Sequence, residues 1–145
     1  MKINIKRLNE NAIIPTYGSE YAAGADLYAC IEEDLIILPC ETKLIKTGLA
    51  IELPIGYAAF IYARSGLASK RGLAPANKVG VVDCDYRGEI MVALHNHSNT
   101  EQAVSKGERI AQMVIAPYIT AEFDVVKELS DTARGAGGFG STGTK

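Results

Sequence analysis

Helical periodicity is nearly absent from this chain, and that narrows its possible folds more than any other feature. Short apolar or alternating segments take its place, with turn residues between them. Lys2 to Leu8 alternates, Gly24 to Cys30 reads as extended, and Leu35 to Leu38 is a short buried run. Lys43 to Leu53 is broken by Gly48 and stopped by Pro54. Tyr57 to Ala63, Val79 to Val82, Glu89 to Asn96, Arg109 to Ile119 and Glu122 to Val126 complete the set. This succession predicts an all-β fold, a jelly-roll-like sandwich or barrel. One helix is predicted, beginning near Ser65 and lasting about two turns. No internal repeat occurs.

The 145 residues suffice for one domain, and an apolar fraction of 48% can furnish its core. The composition changes late. From Thr132 the chain reads TARGAGGFGSTGTK, with five glycines between Arg134 and Gly143. Such a tail buries too little to offset its ordering entropy. The expected organisation is therefore a β domain over residues 1–131 and a mobile glycine-rich arm over 132–145. A net charge of −2 argues against a general nucleic-acid or acidic-membrane binder. No run approaches the roughly 18 apolar residues of a membrane span, and Met1 to Lys6 lacks a signal peptide's apolar stretch. Cys30, Cys40 and Cys84 are odd in number and show no CxxC spacing, which suits a reducing cytosol. The expected location is cytoplasmic.

The densest chemistry lies in Gly80-Val81-Val82-Asp83-Cys84-Asp85-Tyr86-Arg87-Gly88-Glu89-Ile90. The stretch reads as a hairpin, with strands at Val79–Val82 and Ile90–Leu94. A hairpin turn needs Gly, Asn or Asp. It does not need two carboxylates, a ring and a guanidinium together. A charged, solvated turn is one reading. The other is a site, in which a carboxylate positions a water and a ring covers a planar or sugar group. Cys84 has no histidine near it in sequence to make it a nucleophile.

Three further stretches each carry two readings. Asp26, between small residues and an apolar strand, is either an edge-strand or turn former, or a carboxylate holding the water shell of Mg²⁺. Ala63-Arg64-Ser65-Gly66 is a strand-to-helix junction. Either Ser65 is an N-cap beside a surface Arg, or Arg64, Ser65 and free N–H groups bind an anion. Gln112, a polar residue in the apolar run after Gly107, either satisfies backbone or binds a ligand.

Gly135, Gly137 and Gly140 satisfy GxGxxG, and Gly135 to Thr142 nearly makes a P-loop. Both motifs need a preceding strand and a following helix, so both are rejected here. His95 and His97 have HxH spacing, but without a third ligand they read as exposed strand-end residues.

Five stretches, in this order, resemble the sequence motifs of the trimeric dUTPase family (deoxyuridine triphosphate nucleotidohydrolases). They are AGADLYA at 23–29, RSGLA at 64–68, GVVDCDYRGEI at 80–90, GERIAQMVI at 107–115 and RGAGGFGSTG at 134–143. The resemblance implies a jelly-roll homotrimer whose active sites lie between subunits and are closed by another subunit's C-terminal arm. It implies hydrolysis of dUTP to dUMP and pyrophosphate with Mg²⁺. Asp83 would hold the attacking water and Asp26 the waters of the metal. Tyr86 would pack on deoxyribose and exclude a 2′-hydroxyl. Arg64, Ser65, Gly66 and Gln112 would bind phosphates. Asn77 and the backbone around Val81, Val82 and Met91 would read uracil. From the arm, Arg134 would meet the γ-phosphate and Phe139, followed by Gly140, would stack on uracil. Ala63 and Cys84 depart from the family pattern, where Pro and Ala or Ser are frequent.

Two other classes remain. A dCTP deaminase shares the fold and some motifs, but its features are not seen in place of Asp83 to Tyr86. A jelly-roll protein that keeps the pocket as a regulatory switch would look alike in its binding residues, and only activity separates the two.

Overall fold

The computed structural model describes residues 1–138. Twelve strands and one helix follow in chain order among them. They are β1 (Asn4–Arg7), β2 (Thr16–Tyr17), β3 (Ala25–Tyr28), β4 (Leu35–Ile37), β5 (Thr42–Lys46), β6 (Leu49–Glu52) and β7 (Tyr57–Tyr62), then α1 (Ser65–Arg71). After the helix come β8 (Leu73–Pro75), β9 (Val79–Val82), β10 (Met91–Asn96), β11 (Gln102–Val104) and β12 (Arg109–Pro117). The all-β class and the single short helix are as expected from the sequence. The strands β2, β8 and β11, of two or three residues, are too short to show a period.

The largest sheet runs β2-β3-β12-β7-β9, with all its pairs antiparallel. A second sheet runs β5-β10-β8, and two-stranded ladders join β1 to β6 and β11 to β4. The inward side chains of these sheets meet in one core, where Leu27, Ile37, Ile45, Leu73, Leu94 and Ile110 are wholly buried. Each such side chain contributes about 1.5–3 kcal/mol by leaving water. On β10 the alternation places Val92, Leu94 and Asn96 inward. Asn96 is the polar member, and it is fully paired. Its Nδ2 donates to the carbonyls of Ile37 (2.9 Å) and Thr100 (2.8 Å), and its Oδ1 accepts from the Ser98 N–H at 2.9 Å.

The expected hairpin does not form. The strand β9 pairs with β7, whereas β10 pairs with β5 and β8 in the other sheet. The physical reason lies in the residues after Gly88. The Ile90 N–H donates to the Leu49 carbonyl (2.8 Å), and the Ile90 carbonyl accepts from Thr47 Oγ1 (2.6 Å). Glu89 Oε1 accepts from the Gly48 N–H at 2.8 Å. These bonds draw the chain to the corner before β6 and seat β10 beside β5. The inner edge of β9 is left without a strand partner.

A second expectation also differs. Glu122 to Val126 is not a strand, and Ile119, Phe123, Val125 and Leu129 are at least 86% exposed. Alternating apolar residues form a strand only against a free edge and an apolar surface. Among the described residues this segment pairs with no strand edge.

Candidate active site

The five-stranded sheet sets Thr16, Asp26, Gln112, Tyr62 and Val79 in one row across its strands. Asp26 is therefore an interior sheet residue, flanked by β2 and β12, and not an edge-strand or turn residue. It is only 8% exposed. A carboxylate this buried requires partners. Arg64 Nε donates to Oδ1 at 2.7 Å, and Arg109 Nη1 donates to Oδ2 at 3.2 Å. Both guanidinium groups also face a cleft of about 230 Å³, lined by Asp26, Arg64, Ser65, Gly66 and Gln112 among others. Arg109 carries no role in the sequence reading. Its signal was a charge two residues into the GERIAQMVI motif, at the start of a strand.

At the strand-to-helix junction Arg64, not Ser65, is the N-cap, with an extended backbone and no side-chain capping bond. The first helical bond runs from the Ala68 N–H to the Arg64 carbonyl. The N–H groups of Ser65, Gly66 and Leu67 thus lack helical partners, as the first turn requires.

Gln112 both bonds to backbone and lines the Arg64 cleft. Its Nε2 donates to the Ala63 carbonyl at 2.9 Å, which ties β12 to the end of β7. Gly24 makes room for it. A Cβ at Gly24 would lie 2.6 Å from Gln112 Oε1 and 3.1 Å from its Cβ. Gly24→Ala is expected to lower the thermal midpoint by about 3–10 °C, from an overpacking cost of about 1–3 kcal/mol. An unchanged melt would show that Gln112 swings aside freely.

The second group lies at the opposite end of β9. Asp83 follows directly on β9 and is exposed. The Tyr86 N–H donates to the Asp83 carbonyl (3.2 Å), closing a turn. Tyr86 Oη donates to the Glu89 carbonyl at 3.1 Å, so the ring lies back over Gly88. A Cβ at Gly88 would collide with that hydroxyl, so a larger residue there would displace the ring. Asp83, Tyr86, Val81, Val82 and Met91 share a cleft of about 230 Å³. A smaller recess of about 80 Å³ continues between β9 and β10, lined by Asn77, Gly80, Val81, Val82 and Met91 among others. The missing hairpin ladder is what opens it. Cys84 Sγ lies 3.5 Å from the hydroxyl of Tyr118, at the end of β12. That hydrogen bond, with the Cys84 charge, raises the Tyr118 pKa above its ordinary value.

The two clefts share no lining residue. Asp83 lies four residues along the strands and three strands across from the Asp26 row. At standard strand spacings this separates the two carboxylates by about 20 Å. Arg134 joins neither group, since its Nε donates to the Gly137 carbonyl at 2.7 Å in a local turn. Phe139 and Gly140 lie outside the described residues. His95 and His97 sit with ring centroids 4.4 Å apart, and His95 Nδ1 pairs with Thr42 Oγ1 at 2.8 Å. Among the described residues no three His, Cys, Asp or Glu side chains converge to hold a metal, and no helix is long and apolar enough to cross a membrane.

The family model described as dUTPase matches residues 10–143. A deoxyuridine 5'-triphosphate nucleotidohydrolase of Nautilia profundicola is 57% identical, with 99% of each chain covered. One from a Hydrogenobaculum strain is 52% identical over the whole of both chains. Among solved structures, the Staphylococcus bacteriophage 80alpha dUTPase with dUpNHpp superposes with a TM-score of 0.88 at 30% identity, covering 98% of both chains. A dUTPase from phage phi11 of S. aureus, described as coordinating a structural Mg(II) ion, gives 0.81 at 25% identity, covering 90% of this chain and 100% of its own. Similarity that spans nearly the whole chain, in sequence and in fold alike, means that this protein belongs to the dUTPase family.

Proposed function

We propose that the protein hydrolyses dUTP to dUMP and pyrophosphate by attack of water on the α-phosphate. The reaction keeps uracil out of DNA and supplies dUMP for thymidylate synthesis. The observation that carries the reading is the recess between β9 and β10, with Asp83 and Tyr86 at its mouth. It offers backbone edges and the Asn77 amide to a flat, hydrogen-bonding base, and Val81, Val82 and Met91 line it. Tyr86, pinned over Gly88, packs on deoxyribose and leaves no space for a 2′-hydroxyl. Asp83 accepts a proton from the attacking water.

Arg64, Ser65, Gly66 and Gln112 bind the phosphates, and Arg64 supplies a charged fork. Asp26 suits Mg²⁺ held through water. It is a hard oxygen donor on the wall of a cleft with room for waters, and one carboxylate plus substrate phosphates is the usual Mg²⁺ environment. When bound, the ion neutralises charge on the phosphates.

The separation of about 20 Å between Asp83 and Asp26 exceeds what one reacting phosphate can bridge. The reading therefore includes a homotrimer, in which one subunit's β9–β10 recess faces another's Arg64 cleft. The exposed apolar run from Ile119 to Leu129 supports this, because a neighbouring subunit can cover it. The arm then brings Arg134 to the γ-phosphate and Phe139 with Gly140 to the base.

The test is incubation with Mg²⁺ and dUTP, dTTP or dCTP, following pyrophosphate and ammonia. Pyrophosphate from dUTP alone is expected. An apolar pocket discriminates one methyl only about 10–200-fold, so rejection of thymine beyond that reports the rigid recess. Comparable kcat/KM for dTTP excludes the pocket, ammonia from dCTP points to a deaminase, and binding without turnover points to a regulatory protein.

A further inference from the structure

Arg109 has no place in the reaction as described, yet it occupies one oxygen of the carboxylate assigned to the metal. Arg64 occupies the other. Before substrate arrives, each oxygen of Asp26 therefore already accepts one guanidinium bond. The three side chains carry a net charge of +1, from two guanidinium groups and one carboxylate. A dication meets a repulsive field there, and a polyphosphate meets an attractive one.

We infer that Arg109 is a gatekeeper of Asp26, which keeps free divalent cations out of the empty cleft and releases the carboxylate only when a nucleoside triphosphate draws the guanidinium groups onto its phosphates. The inference rests on the metal-holding role proposed for Asp26. Its physical basis is an exchange of partners. Arg64 is the more enclosed of the two, with 27% of its side chain exposed, and it makes the shorter bond. Arg109 is 50% exposed and bonds at 3.2 Å, so it is the weaker and more easily withdrawn partner. Arg109 stands on β12 three residues before Gln112, and the irregularity between Arg109 and Ala111 puts both side chains on the same cleft. The cation then enters with the triphosphate, as one complex, and not ahead of it. Such a gate protects the site from inhibition by excess divalent ions and makes metal uptake report on the nucleotide.

Manganese(II), followed by electron paramagnetic resonance, tests this without turnover. With no nucleotide, the wild-type protein should leave the free-ion signal unchanged at millimolar Mn²⁺. Arg109→Met, which keeps the stem and removes the charge, should bind Mn²⁺ about tenfold more tightly or better. Arg109→Lys should behave like the wild type, and Asp26→Asn combined with Arg109→Met should lose the gain. With the non-hydrolysable dUpNHpp, the wild type should take up Mn²⁺, and Asp26→Asn should weaken that uptake. Equal Mn²⁺ affinity of wild type and Arg109→Met without nucleotide overturns the gate while leaving the metal role of Asp26 intact. Undiminished uptake by Asp26→Asn with dUpNHpp overturns that metal role, and the gate with it. Arg109→Gln serves in place of Arg109→Met if the latter does not fold.

Discussion

Asp83→Asn is expected to lower kcat by about 10²–10⁴-fold and to leave nucleotide binding close to that of the wild type. The amide has the carboxylate's shape but cannot take a proton from water. Asp83 is exposed, and only its backbone carbonyl holds the turn, through the Tyr86 N–H. The substitution therefore removes the base without disturbing the Tyr86 ring or the β9–β10 recess. Titration with dUpNHpp measures binding, and pyrophosphate release measures turnover. Wild-type kcat in Asp83→Asn would show that Asp83 is not the base. The same variant tests site sharing. Asp83→Asn and Asp26→Asn chains, refolded together, each carry one defect. If every site lies within one chain, the mixture stays as inactive as its parts. If Asp83 and Asp26 of one site come from different subunits, random assortment restores about one quarter of wild-type activity.

Deleting the chain from Thr132 is expected to reduce turnover by about 10³-fold while leaving the melting curve and the oligomeric state unchanged. Residues 132–136 are exposed and make only local bonds, such as that from the Gly135 N–H to the Thr132 carbonyl at 3.1 Å. They add nothing to the core, so stability does not depend on them. Ordering a glycine-rich arm costs roughly 1–2 kcal/mol per residue, and ligand contacts must supply it. The γ-phosphate offers Arg134 a charge-assisted bond stronger than its present one to the Gly137 carbonyl. Closure then expels bulk water and completes the charge clamp. Phe139→Ala alone should reduce turnover less, since it removes one stacking contact and no charge. Kinetics, a thermal melt and sedimentation of the truncated protein check this together. Full activity after truncation would exclude arm closure, and a collapsed melt would make the arm structural.

Local chemistry was enough to find the strands longer than three residues within the folded core. Their period of two and their Gly and Pro stops depend only on near neighbours. The same holds for α1, whose stop at Gly72 uses a left-handed φ of 67°. Asp83 and Tyr86 were legible, because their turn carries more chemistry than a turn requires, whereas Arg64 and Gln112 each kept a structural reading beside the functional one until the resemblance was added. Partnership between strands was not legible. Val79–Val82 and Ile90–Leu94 read as a hairpin, yet Ile90 is bound to Leu49, some forty residues upstream, and that contact splits the pair between sheets. Glu122–Val126 carries a strand's alternation, but a period cannot supply the edge on which it must pair. Arg109 was given no role from the sequence. The pairing of β12 on β3 brings it to Asp26, and the successive pairings from β3 through β12 and β7 to β9 separate Asp26 from Asp83. Periodicity records which face of a strand is buried. Burial shared among distant segments decides which strand lies beside it, and that choice is made by the tertiary structure alone.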